Sequence, residues 1–410
     1  MERVVITGLG LVSPAGLSTE ESWASVRAGK NCIGPITLFD PSDYKVKLAA
    51  EVRDFDPEKY MTAKEASRMD RYCQLGMAAA AEAVSRSGIA EASLDPYRVG
   101  VLASSGIGGF ETMYRECRVL DERGPRRVSP LFVPMIISNI LAGHIAIRYG
   151  FNGASQCIVT ACATGTDSIG QAFRQISHGY LDAVVCGGAE APIIGVSVAA
   201  FSNMTALTSS ADPLRASIPF DRGRSGFVMG EGAGMVVLES LSSARNRGAQ
   251  VIAEVAGYGA TCDAYHITAP AEDGEAQRRC MADALREGGV KPAELSYINA
   301  HGTSTPPNDV CETRAIKALF GGECKTPVSS TKSMTGHMLG AAGAAEAIFC
   351  ACAIRDGFVP PTIGYREPDP ECDLDYVPNK GRPADVRCTL SNSFGFGGHN
   401  GVLLLKRFEE

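Results

Sequence analysis

The order of structural elements along this 410-residue chain starts over part-way through. In the first part, residues 3–10 (Arg3-Val-Val-Ile-Thr-Gly8-Leu-Gly10) read as a strand leaving through a glycine turn. Residues 19–28 read as a helix capped at Ser18 or Thr19. Residues 74–87 carry helical apolar spacing and stop at Gly88. A strand at 99–105 runs into Gly106-Ile107-Gly108-Gly109. A buried strand at 157–159 breaks at small residues around Cys162 and passes into a helix from Ile169. Strands at 183–186, closed by Gly187-Gly188-Ala189-Glu190, and at 234–239 complete the set. From 251 the same kinds of element return. They are a strand with a glycine exit (251–257), a helix (277–288), a strand (297–300) entering His301-Gly302-Thr303, a strand and turn (328–332) before a helix (340–354), and a strand (401–405). Two copies of one βαβαββ pattern predict a pseudo-two-fold α/β architecture with halves 1–250 and 251–410. The extra length of the first half lies near 110–150 and 200–220. No Ser/Pro-rich linker separates the halves, so one continuous core is expected.

Composition narrows the class. A net charge of −7 with no long basic run argues against a nucleic-acid partner. No apolar run reaches the roughly 18 residues of a membrane span. The N-terminus lacks the sections of a signal peptide and is not an Arg/Ser-rich transit peptide. Fourteen cysteines occur without C-x-x-C or metal-finger spacing. Reduced thiols in a cytoplasmic protein and no metal site are expected. The Gly106–Gly109 cluster lacks the Lys-Ser/Thr of a phosphate loop and reads as a turn packed close to a neighbour.

One cysteine stands apart. Cys162 sits where a strand turns into a helix, between Thr160-Ala161 and Ala163-Thr164-Gly165. Free backbone N–H groups and the helix dipole at such a start favour an anion. The position predicts a nucleophile held as thiolate, its pKa drawn into roughly the 3.5–7.5 range. Cysteine chemistry needs an imidazole partner near neutral pH. Of six histidines, His301 and His337 lie in turns beside glycines, whereas His144 and His178 read as ordinary helix residues. Lys332 lies in an uncharged stretch and needs a partner; Glu346 on the following helix can meet it. Asp309 and Glu312, on the helix after His301, either orient the site or are exposed first-turn acids.

Thr160-Ala-Cys162-Ala, Asn299-Ala-His301-Gly-Thr-Ser-Thr305, Ser329-Ser-Thr-Lys332-Ser-Met-Thr-Gly-His337 and Asn392-Ser-Phe-Gly-Phe-Gly-Gly398 resemble the condensing-enzyme motifs of β-ketoacyl-[acyl carrier protein] synthases. Similarity runs from Val4 to Leu405, and the Cys-His-His set resembles the elongating rather than the priming enzymes. The resemblance implies the thiolase-like fold, a five-layered αβαβα pseudo-duplication, and a homodimer. It implies a type II synthase that elongates fatty acyl chains by two carbons through decarboxylative Claisen condensation. Cys162 would carry the acyl group. His301 and His337 would favour the enolate of malonyl-carrier protein, and the backbone N–H groups of Cys162 and Phe396 would form the oxyanion hole. Lys332 with Glu346 would hold the site, Phe396 would be a gate with Phe394 its neighbour, and Thr303 and Thr305 match pantetheine-contacting positions. Ile107 matches a bulky acyl-pocket position of the type II enzymes. Acyl carrier protein would dock on basic residues near Lys64 and Arg68, with Arg126 and Arg127 as further candidates. Ser67 and Thr205 stand where some members have Arg. His399 stands where Thr is common and is not counted as catalytic. Substrates would arrive on phosphopantetheine, and no other cofactor is implied.

Rival readings carry specific marks. A thiolase would want a second reactive cysteine in the C-terminal loop, which has none. A chain-length-factor-like partner would lack the nucleophile. A Cys-His hydrolase would not need the second histidine or the Lys332 motif. A type II polyketide ketosynthase subunit stays open as the alternative.

Overall fold

Every residue of the first strand, β1 (Val4–Val12), is buried in the computed structural model, which describes residues 2–410. A strand covered on both faces belongs in the middle of a layered α/β fold. Helix α1 (Thr19–Arg27) follows, its first turn held by the Ser18 hydroxyl, which accepts from the Glu21 N–H. Helix α2 (Arg71–Ser87) begins at Arg71 rather than at 74, because Asp70 caps it, and it stops at Gly88, whose φ is 65°. After β2 (Val99–Ser104), the inserted segment folds mainly as α3 (Phe110–Arg123) and α4 (Ile140–Tyr149). Strand β3 is only Ser155–Gln156, parallel to Val101 and Leu102. The expected strand at 157–159 does not form. The Ile158 N–H donates instead to Ser104 Oγ at 2.9 Å, which takes the chain off the ladder.

Helix α5 (Thr164–Ser177), strand β4 (Ala183–Glu190), helix α6 (Gly195–Asn203) and strand β5 (Gly232–Ser240) complete the first half. Strand β4 does not close at Gly187; it runs on through Glu190, antiparallel to β5 along its whole length. The second half comprises β6 (Ala253–Cys262), α7 (Glu275–Glu287), β7 (Tyr297–Asn299), α8 (Pro306–Leu319), β8 (Val328–Ser329), α9 (Ala342–Asp356), β9 (Cys388–Gly395) and β10 (His399–Lys406). Strand β9 was not among the expected strands. Each half therefore has the core order βαβαβαββ, one βα unit more than the pattern read from the sequence, with α1, a second helix between β2 and β3, and α6 added in the first. The strand that the pattern lacked, β9, mixes Thr, Ser and Asn among its buried residues and so shows no apolar run.

The ten strands form one sheet in the order β8-β7-β9-β10-β6-β1-β5-β4-β2-β3. It reads as two mirrored five-strand runs that meet where β1 pairs antiparallel with β6, Val4 opposite Val255 and Ile6 opposite Ala253. Helices α5 and α9 touch each other and strands of both runs. Helices α2 and α4 cover the outer face of the first run, and α7 with α8 covers that of the second. The result is the expected αβαβα stack. Its central core holds Ile6, Trp23, Phe173, Leu238 and Phe349. The outer cores hold Tyr72, Leu75 and Val101 on one side, and Met281, Ile298 and Leu390 on the other. Strand β5 divides itself between two cores, Val236 and Leu238 facing inward and Met235 and Val237 outward, as a period of two requires.

The glycines read as a turn after strand one lie inside it. A Cβ on Gly8 or Gly10 would run into the carbonyl oxygens of Ala83 or Ala79 of α2; Gly257 and Gly259 of β6 stand in the same relation to Ala284 and Cys280 of α7. The two halves thus share a backbone-to-backbone strand–helix contact that only hydrogen side chains allow. Gly259→Ala is expected to cost about 2 kcal/mol or more through overpacking, read as a lower urea midpoint at an unchanged m-value; an unchanged midpoint would show that α7 can move aside.

Candidate active site

Cys162 lies in a single tight turn, Ala161–Ala163, that feeds directly into α5. Ala161 has φ of 51°, an uncommon conformation for a residue with a Cβ. Leu339–Ala341 makes the mirror turn into α9, and Leu339 has φ of 45°. The elbow is therefore built twice, with a thiol at its tip in the first half and Gly340 in the second. Strained backbone at such a tip persists only where the surroundings hold it. One restraint is Gly395 at the end of β9, where a Cβ would lie 2.8 Å from the Thr160 carbonyl oxygen and 3.0 Å from the Cys162 nitrogen.

Cys162 is only 9% exposed, and this burial opposes the standing thiolate expected from the helix start. Burial pushes the Cys162 thiol up to about 12, against the lowering effects of the Lys332 charge and of backbone N–H groups from Phe396 and Cys162 itself. A helix start favours an anion, but removing that anion from water costs more here.

The histidines face the same cavity, of about 550 Å³, which Cys162, Thr303, Thr305, Phe394 and Phe396 also line. The rings of His301 and His337 are 5.3 Å apart and nearly perpendicular, at 87°. Phe227 stands edge-on to His337 at 5.2 Å, and Phe394 to His301 at 5.8 Å. Nδ1 of His301 and both ring nitrogens of His337 have no protein partner among the described residues. Burial, with the Lys332 charge, lowers both imidazoles well below their ordinary value, so both are neutral at pH 7. Lys332 itself is buried with Glu346, Nζ to Oε1 at 2.5 Å, and burial pushes the Glu346 carboxyl up to about 7.

Helix α8 supplies the frame for His301. The Glu312 carboxylate accepts the His301 and Gly302 N–H groups, both at 2.8 Å, and the Asn392 side-chain amide at 3.0 Å. Asp309 accepts the Phe220 N–H at 2.8 Å. Both acids are wholly buried, so the reading of them as exposed first-turn residues is excluded. The hydroxyls of Thr303 and Thr305 lie 2.8 Å from each other. Ile107 does not line the 550 Å³ cavity; it packs, partly buried, against the apolar cluster that contains Cys162 and Leu339. Lys64, Arg68, Arg126 and Arg127 are exposed and in no ion pair among the described residues.

A thiol, two neutral imidazoles and converging N–H groups in a cavity lined by Phe and Thr are suited to acyl transfer. Comparison with known proteins decides which kind. Residues 1–244 match the family described as "Beta-ketoacyl synthase, N-terminal domain", and residues 252–366 match its "C-terminal domain". The chain belongs to the beta-ketoacyl synthase family. Similar relatives are the 3-oxoacyl-[acyl-carrier-protein] synthase 2 of Synechocystis (49% identical, covering 100% of this chain and 99% of that one) and that of Staphylococcus aureus (51%, with the same coverage). Among solved structures, a ketosynthase/chain length factor of ishigamide synthesis superposes with a TM-score of 0.93 at 39% identity, over 100% of both chains. A beta-ketoacyl synthase of Burkholderia phymatum gives 0.92 at 33%, also over 100% of both.

In this beta-ketoacyl synthase, sequence reasoning missed Phe227, Leu339 and Glu190. Nothing in the spacing of Phe227 and Leu339 tells a cavity wall from a core. Glu190 carried a signal, an acid ending an apolar strand, but it was assigned to a turn. The raised thiol gives a test. Iodoacetamide alkylation at Cys162, followed by mass spectrometry, is expected to accelerate continuously from pH 7 through pH 10; a rate that levels off below pH 8 would show that the sulfur is held ionised.

Proposed function

We propose that this chain is a type II 3-oxoacyl-[acyl-carrier-protein] synthase that elongates fatty acyl chains by two carbons. The observation that carries this reading is the pair of neutral, unpartnered imidazoles opening onto the cavity of Cys162. Full-length identity of about half to curated synthases supports it.

In the first half-reaction the Cys162 sulfur attacks the carbonyl of an acyl-carrier thioester. The thiol proton leaves through an imidazole nitrogen of the pair, the carbon–sulfur bond to the carrier breaks, and the carrier thiol takes the proton. The tetrahedral oxyanion is met by the backbone N–H groups of Cys162 and Phe396, both of which favour negative charge at this position. In the second half-reaction the malonyl thioester loses CO₂. The electron pair of that bond becomes an enolate, whose oxygen accepts N–H bonds from His301 and His337. Neutral imidazoles donate here without adding a competing charge. The enolate carbon attacks the acyl-Cys162 carbonyl, the bond to sulfur breaks, and the released thiolate takes one proton from water to restore Cys162. Lys332 and Glu346 hold the field around both histidines. Phe396, half-buried and 6.1 Å from the Phe201 ring, is the gate at this wall, and Thr303 and Thr305 meet the pantetheine arm.

Within this reading, residues 1–250 bring the nucleophile and 251–410 bring both histidines and the lysine, so the site exists only where the halves meet. The acyl carrier protein is the partner, and the exposed Lys64, Arg68, Arg126 and Arg127 steer its acidic surface. A cytoplasmic location belongs to the same proposal. It accords with fourteen free cysteines and with the lack of any helix long and apolar enough to cross a membrane among the described residues. A homodimer is favoured by the edge strand β3, whose two residues are exposed beside α4 with its outward-facing Ile147. A type II polyketide ketosynthase subunit is the second reading. It is favoured by the likeness to a solved ketosynthase bound to its polyketide acyl-carrier protein and a hexaketide (33% identity, TM-score 0.91, covering 99% and 100% of the two chains).

Cys162→Ala is expected to abolish condensation of acyl- and malonyl-carrier substrates. His301→Ala and His337→Ala should each slow malonyl decarboxylation by about 10²-fold or more; a Cys162→Ala enzyme that still elongates would refute the assignment. Light scattering at micromolar concentration should give twice the chain mass, and a monomer there would remove the dimer.

A further inference from the structure

One buried carboxylate outside the catalytic set joins the two halves at the nucleophile. Glu190 ends β4, is 1% exposed, and accepts four hydrogen bonds. Three come from the turn after β2: the Ser105 hydroxyl at 2.5 Å, the Gly106 N–H at 2.9 Å and the Ile107 N–H at 3.2 Å. The fourth comes from the Gly340 N–H at 2.9 Å, in the mirror elbow of the second half. The junction has no slack. A Cβ on Gly340 would lie 2.5 Å from Glu190 Oε2 and 2.6 Å from the Gly106 nitrogen, and one on Gly106 would lie 3.3 Å from the Ala161 carbonyl oxygen, next to Cys162. The turns that Glu190 ties together carry Ile107 and Leu339, and these two side chains pack in the same apolar cluster as Cys162, with Ile193 and Val198.

We propose that Glu190 is a positioning residue for acyl-chain selection: by clamping the Ser105–Gly108 turn to the Leu339–Gly340 elbow, it fixes the backbone that carries Ile107 and Leu339, two aliphatic side chains of the apolar cluster around Cys162 that an acyl chain on that sulfur would enter. This rests on the acyl-transfer reading above. An apolar wall discriminates chain lengths only as far as it is held still, because each methylene contributes a small factor that a mobile wall averages away. Charge-assisted hydrogen bonds to four donors hold it more firmly than neutral ones would.

The test is self-acylation of the full chain by acyl-pantetheines of six and fourteen carbons, with kcat/KM measured for each. In Glu190→Gln the ratio between the two lengths should shrink by at least about fivefold toward one. Ser105→Ala, which removes a single donor, and Gly340→Ala, which pushes the same junction from the other half, should shift the ratio in the same direction. If Glu190→Gln does not fold, these two variants decide the matter. Equal loss at both chain lengths in the variants would reduce Glu190 to a structural part and overturn the proposal. A wild-type chain that does not self-acylate at either length would instead overturn the acyl-transfer reading itself.

Discussion

The structure depends on how closely the two central helices start beside one another. Helices α5 and α9 lie back to back between the sheets, and their first turns meet across positions where a side chain would not fit. A Cβ on Gly165 would come within 2.8 Å of the Ala344 nitrogen and 3.0 Å of the Gly340 carbonyl oxygen. Interiors packed this densely transmit position from one element to the next. The thiol at the tip of one elbow is therefore located relative to the turns of the other half, which hold His301, Lys332 and His337.

The same enclosure sets the electrostatics. Cys162, His301, His337, Lys332, Glu312 and Glu346 are all deep in the protein, and burial disfavours the charged form of a group. It keeps the cysteine a thiol and the imidazoles neutral, and it raises the carboxyls of Glu312 and Glu346 to about 7. The Lys332 charge lowers the histidines further. Neutral imidazoles can donate an N–H to an enolate oxygen, whereas the thiol must give up its proton before it attacks.

Buried carboxylates do a second job, as fasteners of backbone. Glu312 collects the N–H groups behind His301, Asp309 that of Phe220, and Glu190 those of the turns around Ile107 and Gly340. Each would be costly to bury without its donors. Satisfied, they fix loops that carry no regular secondary structure. Three acids spaced along the chain thereby do for the turns what ladders do for the strands.

Much of this was legible in the residues. The return of the element order at 251, the helix stop at Gly88, the tip position of Cys162, the turn histidines and the pairing of Lys332 with Glu346 all follow from local pattern. What local pattern could not show was decided by contacts between distant segments. Gly8 and Gly10 looked like a turn but are a helix contact, and β9, with its buried Thr, Ser and Asn, shows no apolar run. Glu190 was read into a turn, but it ends β4 and joins the two halves. The state of the Cys162 sulfur was misread for the same reason. A helix start is visible in a few neighbouring residues, whereas loss of water around a thiol is the sum of everything that packs over it, and only the folded chain brings those atoms together.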